Sequence, residues 1–304
     1  MIKDSIVIKD SGVIMDFVRQ PEPLAGVVLA AGAGTRLAPL TTLRPKALCP
    51  VGGVPLVDLA LQRLRAVLDL EGGAAAPATA RLAVNAHHHA AQLAAHLRGR
   101  AHVSVEEPLA LGTAGALGAL RDWIDGRDVL LTNADAYLPD GLTIGGGKPF
   151  TAGWDGVRCR LACVVVEAGG RADFALPDGR GVRYVGAALL PGRLLTGLAP
   201  VPSGLYEVLL RAEAARGALE LQVIDGVAVD CGTVADYLRA NLHAGGGASV
   251  VGAGADVRGR LVRSVVWDGA RVGADEQLVD VVRACGDGVT LTVGSDPAGG
   301  SGRR

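Results

Sequence analysis

The sequence is poor in aromatic residues, at 3%, although 49% of it is hydrophobic. A core of stacked rings is therefore excluded, and Ala, Val and Leu must build the interior with Gly at the tight turns, which suits an α/β protein. An excess of either charge is also lacking: Lys plus Arg number 30 against 31 for Asp plus Glu. No overall positive field exists to gather nucleic acid or an anionic membrane, so neither is expected as a partner, and a small molecule is. The five cysteines, Cys49, Cys159, Cys163, Cys231 and Cys285, form no C-x-x-C pair and no zinc-ligand spacing, and are expected to be reduced core residues. No continuous apolar run has the length of a signal-peptide core or a membrane span, so a cytoplasmic protein is expected. For the N-terminal extension, residues 1–24, a start at Met15 and a short edge strand are both open.

What is present is alternation. From Gly26 onward apolar runs of strand length are followed by stretches with helical spacing. Val27–Ala30 reads as a buried strand, and Leu56–Leu68 as an amphipathic helix with Leu56, Leu59, Ala60, Leu64, Val67 and Leu68 on its apolar face. Strands at Leu82–Val84, His102–Val105 and Val129–Leu131 alternate with helices at Ala90–Leu97 and near Thr113–Trp123. Further on, Leu161–Val166, Val182–Leu190 and Val227–Val229 read as strands, and Leu205–Ala215 and Val234–His243 as helices. The pattern predicts an α/β, Rossmann-like fold, a mostly parallel sheet with helices on both faces, over residues 25–244. Ligands of such sheets sit beyond the carboxyl ends of the strands. Residues 245–294 change texture: Gly254-Ala255-Asp256-Val257, Gly269-Ala270-Arg271-Val272 and Gly288-Val289-Thr290-Leu291 are loose copies of one turn-then-strand unit. They predict a short C-terminal left-handed β-helix-like, hexapeptide-repeat region. The tail, residues 295–304, reads as disordered.

The strongest local signal is Leu29-Ala30-Ala31-Gly32-Ala33-Gly34-Thr35-Arg36-Leu37, followed by Pro39-Leu40-Thr41 and Pro45-Lys46. A buried strand running into small residues lets backbone N–H groups approach phosphate oxygens. A P-loop would need Gly-Lys-Ser/Thr at its end, and a dinucleotide fingerprint would need Gly or Ala where Leu37 stands. Arg36 and Lys46 add a planar fork and a point charge for polyphosphate. This stretch resembles the signature G-x-G-T-R-L-x-P-L-T-x-x-x-P-K of the sugar-1-phosphate nucleotidyltransferase (NDP-sugar pyrophosphorylase) family, present without gaps from Gly32 to Lys46.

The resemblance continues beyond the loop. Glu107-Pro108 with Leu111-Gly112-Thr113-Ala114-Gly115-Ala116-Leu117 is similar to the family's base and ribose segment; locally it also reads as a helix start with Thr113 as its cap, and both can hold together. Together with Ala30, Ala31, Gly32, Ala33, Gly34 and Thr35, the resemblance assigns Glu107, Gly112, Thr113 and Ala114 to the nucleotide. Asp135, in Thr132-Asn133-Ala134-Asp135, and Asp230, in Val229-Asp230-Cys231-Gly232-Thr233, fall on the family's two metal segments, and two carboxylates at one crevice suit a Mg²⁺ cofactor bridging phosphates. Asp173, in Arg171-Ala172-Asp173-Phe174, and Gly186, in Tyr184-Val185-Gly186-Ala187, are similar to the sugar-binding segments. The family's Glu-Lys-Pro is missing between them, so the lysine it supplies to the sugar phosphate has no evident counterpart; Glu167 is a candidate substitute. His87-His88-His89 and His96 invite a metal reading, but adjacent side chains diverge and no acid or thiol completes a site, so a structural role is expected.

The resemblance implies transfer of a nucleoside monophosphate from a nucleoside triphosphate to a sugar 1-phosphate, with Arg36 and Lys46 as catalytic cations. GTP and mannose 1-phosphate are the first expectation for the substrates, because the Gly112 segment and the C-terminal repeats look like mannose-1-phosphate guanylyltransferases. Uridylyl or thymidylyl transfer to another sugar 1-phosphate is the alternative, as is a non-catalytic paralogue that binds nucleotide sugars and regulates a partner. A homo-oligomer is expected.

Overall fold

The computed structural model describes residues 24–68, 77–167, 169–286 and 288–294; the readings of the N-terminal extension and of the tail lie outside the described residues. The central sheet is ordered β7-β5-β6-β4-β1-β2-β3, where β1 is Ala25–Leu29, β2 Leu82–Ala86, β3 His102–Val105, β4 Val129–Asn133, β5 Cys159–Val165, β6 Gly181–Leu190 and β7 Leu219–Val223. A short strand, Phe174–Ala175, is added beside β6. All neighbours run parallel except β6, which is antiparallel to both β4 and β5.

Alternation along the strands loads both faces with apolar side chains. Val28, Val84 and Leu130 pack beneath helices α1, Leu56–Val67, and α2, Ala90–Leu97. Val27, Ala83 and Leu131 point the other way, onto α3, Gly112–Ala119, and the turn Tyr206–Leu210. A sheet buried on both sides has near-continuous apolar strands, and the sequence of β1 has that form. The long helix expected near Thr113–Trp123 divides into α3 and a short helix, Arg121–Ile124, while Leu205–Ala215 begins as a π-helical turn and continues as α-helix from Arg211. Helix α1 is rotated from its expected face: Val57, Leu61 and Arg63 are buried with Leu56, Ala60 and Leu64.

After helix α4, Val234–Ala244, the chain forms a three-faced coil. Val250–Val251, Val265–Val266 and Val281–Gly286 stack in parallel on one face, Asp256–Val257 on Arg271–Val272 on the second, and Arg260–Val262 on Gln277–Val279 on the third. Asp256 lies opposite Arg271 and Arg260 opposite Gln277, so the turns are irregular in length and are not built from a strict six-residue unit. The coil shares a core with the main domain: Val265, Trp267 and Val282 pack with Leu37, Leu40, Val229 and Tyr237. Trp267 Nε1–H donates to Tyr237 Oη at 3.0 Å, Tyr237 donates to the carbonyl of Pro50, and Arg44 stacks over the Trp267 ring at 4.3 Å. The segment carrying the family signature therefore rests partly on the coil. Among the described residues no helix is long and apolar enough to cross a membrane.

Candidate active site

β1 ends in an open loop. Gly34 has a left-handed backbone, φ 64°, and a Cβ there would lie 2.8 Å from Thr41 Cγ2 and 3.1 Å from Lys46 Cβ, so glycine is required on two counts. Thr41 Oγ1 donates to the Gly34 carbonyl at 3.1 Å, and the Thr41 carbonyl meets His88 Nε2 at 3.2 Å. Ala30 N–H donates to Asn85 Oδ1 at 2.6 Å, whereas the N–H groups of Gly32, Ala33 and Gly34 have no acceptor among the described residues. Unpaired amides at the end of a buried strand are the kind of donors an anion can use.

The start of α3 is fixed to this loop by a buried polar chain. Asn85 Nδ2 donates to Glu106 Oε1 at 2.7 Å, and Glu106 Oε2 accepts from Leu111 N–H at 2.7 Å. Glu106 is the buried acid and Glu107, the expected one, is exposed. Alternation after β3 turns consecutive residues to opposite sides, so Glu106 faces the interior and Glu107 the surface. Thr113 is not the helix cap: Leu111 holds that position, and Thr113 Oγ1 accepts from Leu205 N–H at 2.7 Å. Gly112 and Ala114 accompany Thr113 at the head of α3, where Ala114 N–H donates to the Ser203 carbonyl.

Asp135 and Asp230, 95 positions apart in sequence, meet because their segments pair. The short strand Ala136–Tyr137 runs antiparallel to Val229–Asp230, with Asp230 opposite Ala136, and Cys231 N–H donates to the Asp135 carbonyl at 2.9 Å. Both carboxylates converge on one ammonium: Lys46 Nζ hydrogen-bonds Asp135 Oδ2 and lies 3.9 Å from Asp230 Oδ1. Arg36 approaches Asp230 Oδ2 at 3.8 Å from the solvent side, 68% exposed. Partial burial, then the neighbouring Asp135, hold the Asp230 carboxyl above the usual range. Beneath them Arg63, nearly fully buried, donates to the Ala136 carbonyl and Thr132 Oγ1, both at 3.1 Å; burial pulls its guanidinium down to about 10, against the opposing influence of Asp135. The nearby Cys231 thiol is pushed up, chiefly by burial, and Cys49 likewise to about 12, which favours the neutral thiol at both. Among the cysteines only Cys285 is not fully buried, and all five are free.

Two cavities adjoin across Asn133 and Tyr184. The smaller, about 260 Å³, is lined by Arg36, Asp135, Asp230, Arg183 and Gly186. The larger, about 460 Å³, lies between Leu29, Thr113, Arg171, Asp173 and Tyr206. Gly186, φ 78°, sits where the β5–β6 register shifts, and a Cβ there would lie 2.7 Å from Asn133 Nδ2. Asp173 Oδ2 accepts from Tyr184 N–H at 3.0 Å, and the Phe174 and Tyr206 rings meet edge to face at 6.4 Å. Asp178 and Arg180 pair with each other in an exposed turn, and Glu167 is exposed and lines neither cavity. The histidines are separately engaged: His87 with the Glu106 carbonyl, His88 with Thr41, and His96 with Asp58. No group of three or more His, Cys, Asp or Glu residues is arranged to hold a metal among the described residues.

Comparison with known proteins places this architecture. Residues 25–144 match the model of the nucleotidyl transferase family. Over 122 residues the chain is 38% identical to N-acetylmuramate alpha-1-phosphate uridylyltransferase of Caulobacter vibrioides, a match that spans 38% of this chain and only 46% of that protein. A Bacillus anthracis structure described as a glucose-1-phosphate thymidylyltransferase, in complex with sucrose, superposes with a TM-score of 0.55 at 20% identity, covering 73% of this chain and 95% of that one. HddC from Yersinia pseudotuberculosis, complexed with GMP-PN, gives 0.53 at 18% identity, covering 72% and 99%. The sequence matches lie in the segment that carries the signature loop, and the two solved structures share the fold built around it: residues 25–144 resemble the nucleotidyl transferase family, and the chain spans less than half the length of the uridylyltransferase it matches.

Proposed function

We propose that the protein transfers a nucleoside monophosphate from a nucleoside triphosphate to a sugar 1-phosphate and releases pyrophosphate. The observation that carries this reading is the convergence of Asp135 and Asp230 on Lys46 beside a loop whose amides are open. Such chemistry needs positioning and charge neutralisation, with no enzyme nucleophile. An oxygen of the sugar phosphate attacks the α-phosphorus, a new P–O bond forms, and the α–β bridging bond breaks with its electron pair leaving on pyrophosphate. Open amides at Gly32–Gly34 and the guanidinium of Arg36 would take the charge of the departing group, and Lys46 would hold phosphate in line. The donor set fits a hard divalent ion, since two carboxylate oxygens leave the other positions of an octahedron to phosphate and water. Asp135 and Asp230 would hold Mg²⁺, which supplies positive charge between two mutually repelling anions.

The larger cavity, with Asp173, Tyr184 and Tyr206, is the place for the sugar, and the head of α3, Gly112–Ala114, for base and ribose. The sequence match to an N-acetylmuramate alpha-1-phosphate uridylyltransferase favours UTP and an amino-sugar phosphate over the GTP and mannose 1-phosphate first expected. Self-association is part of the reading: Val289–Gly294 is the outer strand of the coil's four-stranded sheet and has one edge unpaired among the described residues, and light scattering of the full chain checks it. The decisive assay measures pyrophosphate release for UTP, GTP, dTTP and ATP against N-acetylmuramate, glucose and mannose 1-phosphates. One pair should turn over well above the rest; no release with any pair would leave the regulatory, nucleotide-sugar-binding alternative.

A further inference from the structure

The sugar phosphate needs a cation of its own, and no lysine follows Lys148 in the chain. We infer that Arg183 grips the phosphate of the acceptor sugar 1-phosphate, an inference that rests on the proposed nucleotidyl transfer. Arg183 lies on β6 and lines the smaller cavity together with Asp135 and Asp230. The other cations around that cavity are engaged: Lys46 by Asp135, Arg36 near Asp230 and Arg63 by oxygens of residues 132–136. Arg180, also on this side of the chain, is paired with Asp178 at 2.8 Å. The Arg183 side chain has no hydrogen-bond or ion-pair partner among the described residues, its backbone being paired with β5, so its guanidinium presents an open fork to the crevice.

Sheet order decides which phosphate it meets. β4, which leads to Asp135, lies between β1, which runs into the Gly34 loop, and β6, which carries Arg183. In an in-line displacement the entering and leaving oxygens stand on opposite sides of the phosphorus. If the loop of β1 takes the leaving pyrophosphate, the cation on the strand flanking β4 from the other side faces the entering group. The backbone of β6 is held against the Asp135 segment at Gly186, where a Cβ would meet Asn133, so Arg183 is carried by a fixed wall. A planar fork matches a phosphate dianion with two hydrogen bonds, which a lysine at the same place cannot reproduce.

The test compares full-length wild type, Arg183→Ala and Arg183→Lys, using whichever sugar 1-phosphate of the panel the wild type turns over. Steady-state KM for the sugar 1-phosphate should rise on the order of 10- to 100-fold in Arg183→Ala, the range for a lost charge-assisted hydrogen bond, and by an intermediate factor in Arg183→Lys. Calorimetric affinity for the nucleoside triphosphate with Mg²⁺ should stay within about twofold, since nothing on that side of the crevice changes. A wild type that turns over while Arg183→Ala keeps its KM for the sugar phosphate overturns the assignment of Arg183 alone. An equal loss of triphosphate affinity also overturns it, by placing Arg183 on the donor. A wild type that releases no pyrophosphate with any pair removes the parent reading and this one with it.

Discussion

The two walls of the crevice are built on different principles. The wall proposed for the donor, from Ala30 to Lys46 and at the head of α3, is largely main chain, with open amides, a left-handed glycine and helix ends held by the Asn85–Glu106 chain, and adds the two cations Arg36 and Lys46. The wall proposed for the acceptor, from Arg171 to Phe174 and along β6 with Tyr206 beside them, is side chain: the guanidiniums of Arg171 and Arg183, the Asp173 carboxylate and the Phe174 and Tyr206 rings. Triphosphate is common to all donors and can be read by backbone, whereas a sugar is told from its epimers only by side chains at chosen positions. The first wall should therefore tolerate little change and the second should be where specificity is altered.

Substitutions can break that contrast. Arg36→Ala should lower kcat by roughly 10²–10³, the range for removing one charge-stabilising group at a developing anion, with an unchanged melting temperature because the side chain is 68% exposed. An effect on sugar KM alone would move Arg36 to the other wall. Arg63→Met removes a buried donor from Thr132 and Ala136 and should cost about 2–3 kcal/mol of stability, read by denaturant titration, together with part of kcat as Asp135 loses its support. Unchanged kcat at full occupancy would make Arg63 purely structural. Gly34→Ala should cost about 1–2 kcal/mol through its left-handed backbone and raise KM for the triphosphate, not for the sugar. Tyr206→Ala, which removes the ring facing Phe174, should change relative kcat/KM among sugar phosphates by about threefold to tenfold, since a ring pair contributes about 0.5–1.5 kcal/mol, and should leave nucleotide preference alone.

How much was legible in the sequence follows the same division. The Gly32–Lys46 stretch could be read because a cradle of amides demands small residues and fixed turns at fixed spacing, and the sheet could be read because two-faced burial writes apolar strands. Asp135 and Asp230 stand out in the sequence only through the resemblance, since an acid at a strand end is equally a cap or turn residue, and the pairing of Asp230 with Ala136 that brings them together is tertiary. Arg63 was missed because a charged residue on an amphipathic helix counts as outward, and here the stripe is rotated to bury it. The structural part of Glu106 carries no motif, since only the end of β3 shows that it, and not the exposed Glu107, faces the interior. The edge strand β7, Leu-Glu-Leu-Gln-Val, carries two polar residues in five and was passed over. Arg183 carries no motif at all; its place in the crevice depends on β6 running antiparallel between β4 and β5, which nothing local dictates.

The central claim is a single displacement across one crevice, with both substrates present together. Exchange of labelled pyrophosphate into the nucleoside triphosphate measures this directly. Label should enter only when the sugar 1-phosphate or its nucleotide sugar is also present, because no nucleotidyl-enzyme forms. Exchange with triphosphate and pyrophosphate alone would contradict it, by showing that the nucleotide is first transferred to the protein.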